Sequence, residues 1–509
     1  MNNQEIDSNS SKVKEKNVKN HSYKSAGLTL LFCFILLIYI ISISFVSFQN
    51  DTLFDIVLGD KYVNEGITTI DKFSIHENLE YISHHFMVNI ITYFIHLYTG
   101  FSGLYVLEII LTSIIAILFY ILNKNFVKNK KIAYAFVFIE LAMMFGFISI
   151  RAQMYSYIFF LIELICIENF LKNKKKINIL ILTLLPLFII NFHAGVIYFY
   201  YIIMFVYLLN YIRVKFFKFE YEERFKKNLR YLFIPIILSI PLLFVNPFGI
   251  KSITYGIKTL SNSFINNYIA EFQPTTLLSL NGNILFIALF IIVLSYICTN
   301  KKIKTYHFLL FIGTAFMALM SNRHLSLFII CAIPCNLEYI EDIIYKIRDM
   351  LYSGVIPKGK VVLKYCAYVI FFISVLGIAV YMLLHKSYEY LPKSNYPIGA
   401  INYIRENIGS NKRIFNDYGY GSLLMYNGIK VFIDSRAELY TKEYNKDTNV
   451  AIDYMNANEC IENYDEILQK YNIDYLLLKN GSPITKNITS NPKYNKVFED
   501  EYSCIYVRK

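Results

Sequence analysis

The sequence predicts an α-helical multi-pass membrane protein of about 11 spans with a C-terminal soluble α/β domain. Three observations predict it. The chain is 55% hydrophobic and only 17% charged over 509 residues, too apolar for a soluble protein of that size. Basic residues collect in alternate connecting segments. After His385 the long apolar runs stop and short strand-like and helix-like segments replace them.

Residues 1–26 form a basic tail with Lys12, Lys14, Lys16, Lys19 and Lys24, and 27–49 is apolar for the length a bilayer needs. No small-residue cleavage site follows, so this run reads as a retained span rather than a signal peptide. Further spans are expected near 101–123, 132–150, 152–171, 177–190, 196–211, 232–246, 284–299, 306–320, 325–340 and 365–385. Segments on the side of the N-terminus hold 28 Lys and Arg, and those on the opposite side hold 6. The rule that cytoplasmic loops are basic then puts the N-terminus in the cytoplasm and the opposite loops outside a plasma membrane. The remaining 16 basic residues lie in 386–509, beside 16 acidic ones. The net charge of +12 therefore fixes topology and does not form a nucleic-acid surface. With no Trp, the membrane interfaces fall to the 44 Tyr.

The transmembrane part, 27–385, is interrupted early by an outer loop, 50–100. A turn between spans needs few residues, and this one carries Asp51, Asp55, Asp60, Glu65, Asp71, Glu77 and Glu80 with His76, His84 and His85. Its apolar residues Leu53, Phe54, Ile56 and Leu58 predict a folded segment rather than a disordered one. His84 and His85, adjacent on a helix, would point about 100° apart and would not share a metal ion. Asp71 reads as a turn acid bonding its own backbone.

In 386–509, strands are expected at Arg413–Phe415, Lys430–Asp434, Tyr475–Leu478 and Cys504–Val507, and helices at Pro397–Asn407 and Asn456–Tyr471. Gly419 and Gly421 read as a tight strand-to-helix turn. Asp434 and Arg436 read first as a structural salt bridge. A disulfide between Cys460 and Cys504 is allowed by the spacing.

Polar residues mark the outward junctions: Arg151, then Asn191 and His193, then Asn246, then Asn322, Arg323 and His324. Helix packing can gather them with Asp51 and His84 into one polar cavity. Arg suits a phosphate, which it holds by bidentate charge-assisted hydrogen bonds. A carboxylate such as Asp51 suits either deprotonation of an acceptor or a hard divalent cation, Mg or Mn. Bland readings stand beside these. Asp51 can be a helix-cap or turn acid, the two Arg can reach to lipid headgroups, and Asn191 and His193 can satisfy interhelical hydrogen bonds.

The ordered marks Asp51-x-x-Phe54, Asp71-Lys72-Phe73-Ser74, Tyr81-x-x-His84, Arg151-Ala152-Gln153, Asn191-Phe192-His193-Ala194-Gly195, Asn246-Pro247-Phe248-Gly249, Glu271-Phe272-Gln273-Pro274, Asn322-Arg323-His324, Phe415-Asn416-x-Tyr418-Gly419-x-Gly421 and Val431 to Ala437 run nearly the whole chain. Together they resemble bacterial multi-pass membrane proteins of GT-C-type glycosyltransferase architecture, whose layout is shared with the protein O-mannosyltransferases and lipid A aminoarabinose transferases. The resemblance implies a glycosyltransferase moving a sugar from a polyprenyl-phosphate donor to a glycan or protein acceptor. Asp51 would be the catalytic base or metal-associated carboxylate, with Arg151, His84, Arg323, His193 and Asn191 binding substrate. Where the group carries Trp and a His-Glu pair near the end of the loop, this chain has Tyr81 and His84-His85. Two other functions remain open: a lipid-linked glycan transporter or flippase using Glu108, Glu140 and Glu163 within spans, and a non-catalytic cell-envelope assembly protein.

Overall fold

A computed structural model describes residues 30–211, 219–220, 228–260, 262–354, 356–446 and 448–509. The basic tail and most of the basic segment 212–231 lie outside them. The chain forms two compact units, 1–44 with 349–387, and 45–348 with 388–509. In the first, helices Leu30–Ile43 and Pro357–Leu384 are joined by Phe32 stacked on Phe372 at 4.5 Å, and Lys386 Nζ donates to Ile41 O at 2.7 Å.

The described helices long and apolar enough to cross a membrane are Phe86–Phe126, Ala152–Asn173, Leu280–Cys298 and Gly359–Leu384. Shorter apolar helices occupy Leu30–Ile43, Lys176–Phe192, Ala194–Leu208, Arg230–Phe244 and Thr305–Met320. They overlap apolar runs of bilayer length in the sequence, except that residues 86–100 of helix Phe86–Phe126 fall in the expected outer loop.

The acid-rich segment 50–100 is mostly helical. It opens with helix Asn50–Asn64, passes through turns tied by an Ile70–Glu80 bridge, and enters helix Phe86–Phe126. That helix breaks at Gly100, whose φ of 65° and ψ of −159° need a residue without Cβ. The break falls where the sequence set the start of a span. At Gly59 a Cβ would lie 2.2 Å from Asn89 O, so glycine lets helices 50–64 and 86–126 touch.

Residues 414–508 carry a four-stranded sheet of β1 (Ile414–Asn416), β2 (Tyr475–Lys479), β3 (Tyr494–Glu499) and β4 (Ser503–Arg508), in the order β1-β2-β4-β3. β1 and β2 are parallel and the other pairs antiparallel, with Phe415 opposite Leu476 and Leu477 opposite Ile505. Two expectations change here. Lys430–Asp434 is extended but joins no sheet: Val431 bridges to Ser74, donating its N–H to Phe73 O at 3.0 Å and accepting from Ile75 N at 2.9 Å. The stretch 456–471 is two helices, Val450–Asn458 and Tyr464–Lys470. Cys460 and Cys504 are free thiols.

Strand-like segment 430–434 pairs with residues 73–75 because both belong to one core. Leu53, Phe54, Leu58, Tyr62, Ile75 and Leu79 pack in the same buried cluster as Phe415, Val431, Phe432, Leu476 and Ile505. Full burial of each such side chain is worth about 1.5–3 kcal/mol. Polar ties reinforce it. Arg413 donates to Ile75 O at 3.2 Å, and His76 Nε2 donates to Phe432 O at 2.8 Å. Burial lowers the His76 imidazole to about 4, so it sits there neutral.

At the centre of this joint Arg436 is fully buried between two carboxylates. Its Nη1 meets Asp71 Oδ1 at 2.6 Å, its Nη2 meets Asp434 Oδ2 at 2.7 Å, and its Nε donates to Asp434 Oδ1 at 2.9 Å. Asp71 also accepts from Ser74 N at 2.9 Å, the turn bond expected of it. Gly421 has ordinary negative φ, so its role is not a left-handed turn: a Cβ there would lie 2.3 Å from Ile433 O, beside Asp434. Glycine is needed for close approach, not for conformation.

Candidate functional site

A cavity of about 480 Å³ lies where the N-terminal ends of several helices meet residues 435–438. Asp51 reaches it from the first turn of helix Asn50–Asn64, where the N-terminal dipole favours an acid. Its N-cap is Gln49, so Asp51 is not the cap itself. Arg151 reaches it from the N-cap position of helix Ala152–Asn173, with extended backbone. Glu271 and Arg323 come from single helical turns, Ala270–Phe272 and Asn322–His324, held together by Asn322 N donating to Gln273 O at 2.9 Å. His84 precedes helix Phe86–Phe126 and His193 ends helix Lys176–Phe192. Ala194 N donates to His84 O at 2.7 Å, which fixes these two against one another.

The charged centre is a bridge. Arg151 Nη2 lies 2.6 Å from Asp51 Oδ2, and its Nη1 lies 2.6 Å from Glu271 Oε1. Burial opposes the guanidinium charge, but the two carboxylates outweigh it and hold the Arg151 pKa above its ordinary value. Burial likewise pushes the Glu271 carboxyl up, and Arg151 outweighs it, leaving the pKa lowered. Arg151 Nε is buried and has no hydrogen-bond partner. A buried donor left without a partner costs free energy. Arg323 has no carboxylate at ion-pair distance among the described residues, and its guanidinium lies over the Phe272 ring at 4.5 Å.

Across from this centre His84 stacks on Tyr255, with ring centroids 4.2 Å apart and planes 15° from parallel. Its Nδ1 is buried, without a hydrogen bond, and 3.8 Å from Glu438 Oε1. Glu438 accepts from Tyr255 OH at 2.8 Å, and burial raises its carboxyl pKa. Burial lowers His84 well below the ordinary imidazole value, with His85, His193 and the two Arg adding to it. His193 is lowered by burial and the same cations, and its Nδ1 is 2.7 Å from Ser156 Oγ. Both rings are therefore neutral near pH 7.

His84 and His85 are not on a helix. They lie in the turn before it, and their rings stand perpendicular at 89°. Both line the cavity, and His85 Nε2 lies 2.8 Å from Asp55 Oδ1. Burial pulls the His85 pKa down, but the Asp55 carboxylate outweighs it and leaves it raised.

Of the residues singled out from sequence, Asp51, Arg151, His84, His193 and Arg323 all line this cavity. Asn191 does not. Its Nδ2 donates to Leu187 O at 2.9 Å and Val245 O at 2.8 Å, tying a helix end to the turn before Asn246. Reasoning from sequence missed Tyr255 and Glu438 and did not give Glu271 a role, although Glu271 opens the Glu-Phe-Gln-Pro mark and Glu438 directly follows Ala437. Tyr255 carries no sequence signal at all.

The residues also bear on a divalent cation. Mg and Mn sites are built from about six oxygen ligands, several of them carboxylate or water. Here the two carboxylates beside the cavity centre, Asp51 and Glu271, are already bridged by Arg151. Among the described residues no group of three or more His, Cys, Asp or Glu side chains is placed to hold a metal ion. The donor set does not fit such an ion.

The buried acids Glu108, Glu140 and Glu163 differ among themselves. Glu108 accepts from Phe45 N at 2.7 Å and Ile150 N at 3.0 Å, and Glu140 accepts from Asn123 Nδ2 at 2.9 Å. Glu163 is fully buried and neither of its oxygens has a hydrogen-bond partner.

No protein-family model and no curated protein matches the chain. Solved structures do. The oligosaccharyltransferase of Archaeoglobus fulgidus in its apo form superposes with a TM-score of 0.58 at 11% identity, over 87% of this chain and 69% of that one. The same archaeal enzyme, AglB, in complex with an inhibitory peptide and a dolichol-phosphate gives 0.58 at 10% identity, over 87% and 69%. Its form tethered to an acceptor peptide containing the NVT sequon gives 0.56 at 10%, over 87% and 68%. At this identity the likeness is one of fold, and the fold is of the GT-C type.

Proposed function

We propose that this chain is a glycosyltransferase that moves a sugar from a polyprenyl-phosphate donor to a glycan or protein acceptor at the outer face of the plasma membrane. The observation that carries this reading is the Asp51–Arg151 pair, 2.6 Å apart in a cavity that Arg323 also lines. The fold adds support, since the archaeal structure of that fold is known with a dolichol-phosphate bound.

In the proposed reaction the acceptor's O–H or N–H proton passes to Asp51, whose Oδ1 has no partner among the described residues. The acceptor atom bonds to the anomeric carbon as the bond from that carbon to the phosphate oxygen breaks. Its electron pair leaves on the phosphate, where Arg323 and the orphaned Arg151 Nε stabilise it. His84 and His193, neutral and aimed into the same space, hydrogen-bond the sugar or phosphate. The chain crosses the membrane eleven times with a cytoplasmic N-terminus, a reading supported by the excess of 28 basic residues over 6. Residues 386–509 then stand outside, over the cavity's Glu438 side.

One observation favours a second reading, a lipid-linked glycan transporter: Glu163, buried without a partner in an apolar helix, is the kind of group that carries protons in transporters. Purified full-length chain, incubated with radiolabelled polyprenyl-phosphate sugars and candidate acceptors, separates the two. The transferase reading expects label to leave the lipid and expects Glu163→Gln to keep that activity. Label that stays on lipid while crossing vesicle membranes, in a manner lost in Glu163→Gln, would overturn it.

A further inference from the structure

We infer that Arg151 is the built-in cation of this site, doing with a fixed guanidinium what a bound divalent ion would do between the carboxylates of Asp51 and Glu271. The inference rests on the transferase reading for what the charge is used for, but not for where the charge sits. Arg151 places Nη2 2.6 Å from Asp51 Oδ2 and Nη1 2.6 Å from Glu271 Oε1, so one planar group neutralises both acids from between them. The two acids lie 220 positions apart in the chain, and the guanidinium meets both at one point. Among the described residues neither Asp51 nor Glu271 makes another ion pair, although the more distant Arg323 also lowers Glu271.

Position adds a second argument. Arg151 is the N-cap residue of helix Ala152–Asn173, with φ of −147° and ψ of 164°, and its side chain makes no capping bond. A guanidinium has donors only and cannot cap the helix N–H groups, so at this position the side chain extends to the carboxylates. The helix behind it is 22 residues long and mostly buried, so the guanidinium is carried on a rigid base. A metal ion has to be recruited and can be stripped; this charge comes with the backbone. It also has a direction. Two Nη groups face the acids, and the buried Nε, which has no partner, is left for an incoming anion. Such a site would bind the phosphate of its donor without any ion bridging phosphate to protein.

The experiment uses full-length protein in detergent and manganese as the probe. Electron paramagnetic resonance measures free Mn²⁺ as protein is added, and thermal unfolding is followed with and without 1 mM Mn²⁺, roughly the upper end of useful metal affinities. The expected result for wild type is no stoichiometric Mn²⁺ binding and an unfolding temperature indifferent to Mn²⁺ and to EDTA. Arg151→Met leaves Asp51 and Glu271 facing one another unneutralised, and that variant alone should be stabilised by added Mn²⁺. One Mn²⁺ per wild-type chain, lost in Asp51→Asn, overturns the inference even if the Arg151 variant does not fold. An Arg151→Met protein that folds and ignores Mn²⁺ overturns the bridging role. None of these readouts needs turnover. Sugar transfer that stops in EDTA, together with Mn²⁺ bound through Asp51, would sink the built-in cation and spare the transferase. Absence of transfer with every lipid donor, and no Mn²⁺ bound, would do the reverse.

Discussion

Among the described residues two arginines, Arg436 and Arg151, sit between two carboxylates, and they do opposite things. Arg436 lies between Asp71 and Asp434 with every side chain at 0% exposure, and Tyr440 OH closes the set by donating to Asp434 Oδ2 at 2.5 Å. Arg151 lies between Asp51 and Glu271 at 17%, 28% and 43%, faces a cavity, and keeps one donor unpaired. The same chemical group is a latch in one place and a candidate site in the other. What separates them is whether the hydrogen bonds are complete and whether there is room for a guest. Arg436 fastens residues 71–76 to 431–436, so that the acid-rich segment and the last part of the chain share one core. That last part supplies residues 435–438 to the cavity.

The comparison is broken first at the latch. Arg436→Met strands two buried carboxylates, and the expected cost is about 3–5 kcal/mol, read by denaturation in detergent. A loss below about 1 kcal/mol would mean that the joint is held by apolar packing alone. Arg323→Ala comes next, because it removes the guanidinium without a carboxylate partner. Affinity for a polyprenyl-phosphate sugar should fall by about tenfold or more, with the unfolding temperature nearly unchanged. Equal donor affinity in the two proteins would move the phosphate elsewhere. Asn191→Ala is predicted to cost about 1 kcal/mol of stability and nothing in donor affinity, since its two bonds are to carbonyls outside the cavity.

The smallest effect is with pH. His84 and His193 have lowered pKa values, so the folded state binds fewer protons than the unfolded chain, whose imidazoles titrate near about 6.5. Their contribution is present above that value and is lost as the pH falls below it. His85, raised by Asp55, runs the other way and loses its contribution as pH rises. The fall in unfolding temperature between pH 7 and 5 should therefore shrink in His193→Gln. A larger fall in that variant contradicts the assignment.

Much of this was legible in the sequence where the signal is local. Apolar runs of helical length place the helices, and the boundary at Gly100 follows from a residue that can take positive φ. Asp51, Arg151, His84, His193 and Arg323 were legible because each is a polar residue near the end of an apolar run or in the acid-rich segment between two of them. Partners were not. Lys430–Asp434 has the residues of a strand, but nothing in them says that the neighbour is Phe73 to Ile75, more than 350 positions earlier. Strand β3, Tyr494–Glu499, is an edge strand with Asn495, Lys496 and Glu499 exposed, which hides its pattern. For Asn191 the structure matches the interhelical reading and not the substrate-binding one: its amide points across to Val245. Glu438 and Tyr255 meet only in the fold.

The most direct test is the initial rate at which radiolabelled sugar leaves a polyprenyl-phosphate donor, compared between wild type and Asp51→Asn with each saturated by donor. Removing a general base that takes the acceptor's proton should slow that step by about 10²–10⁴-fold while the unfolding temperature holds. Equal rates in the two proteins would contradict it.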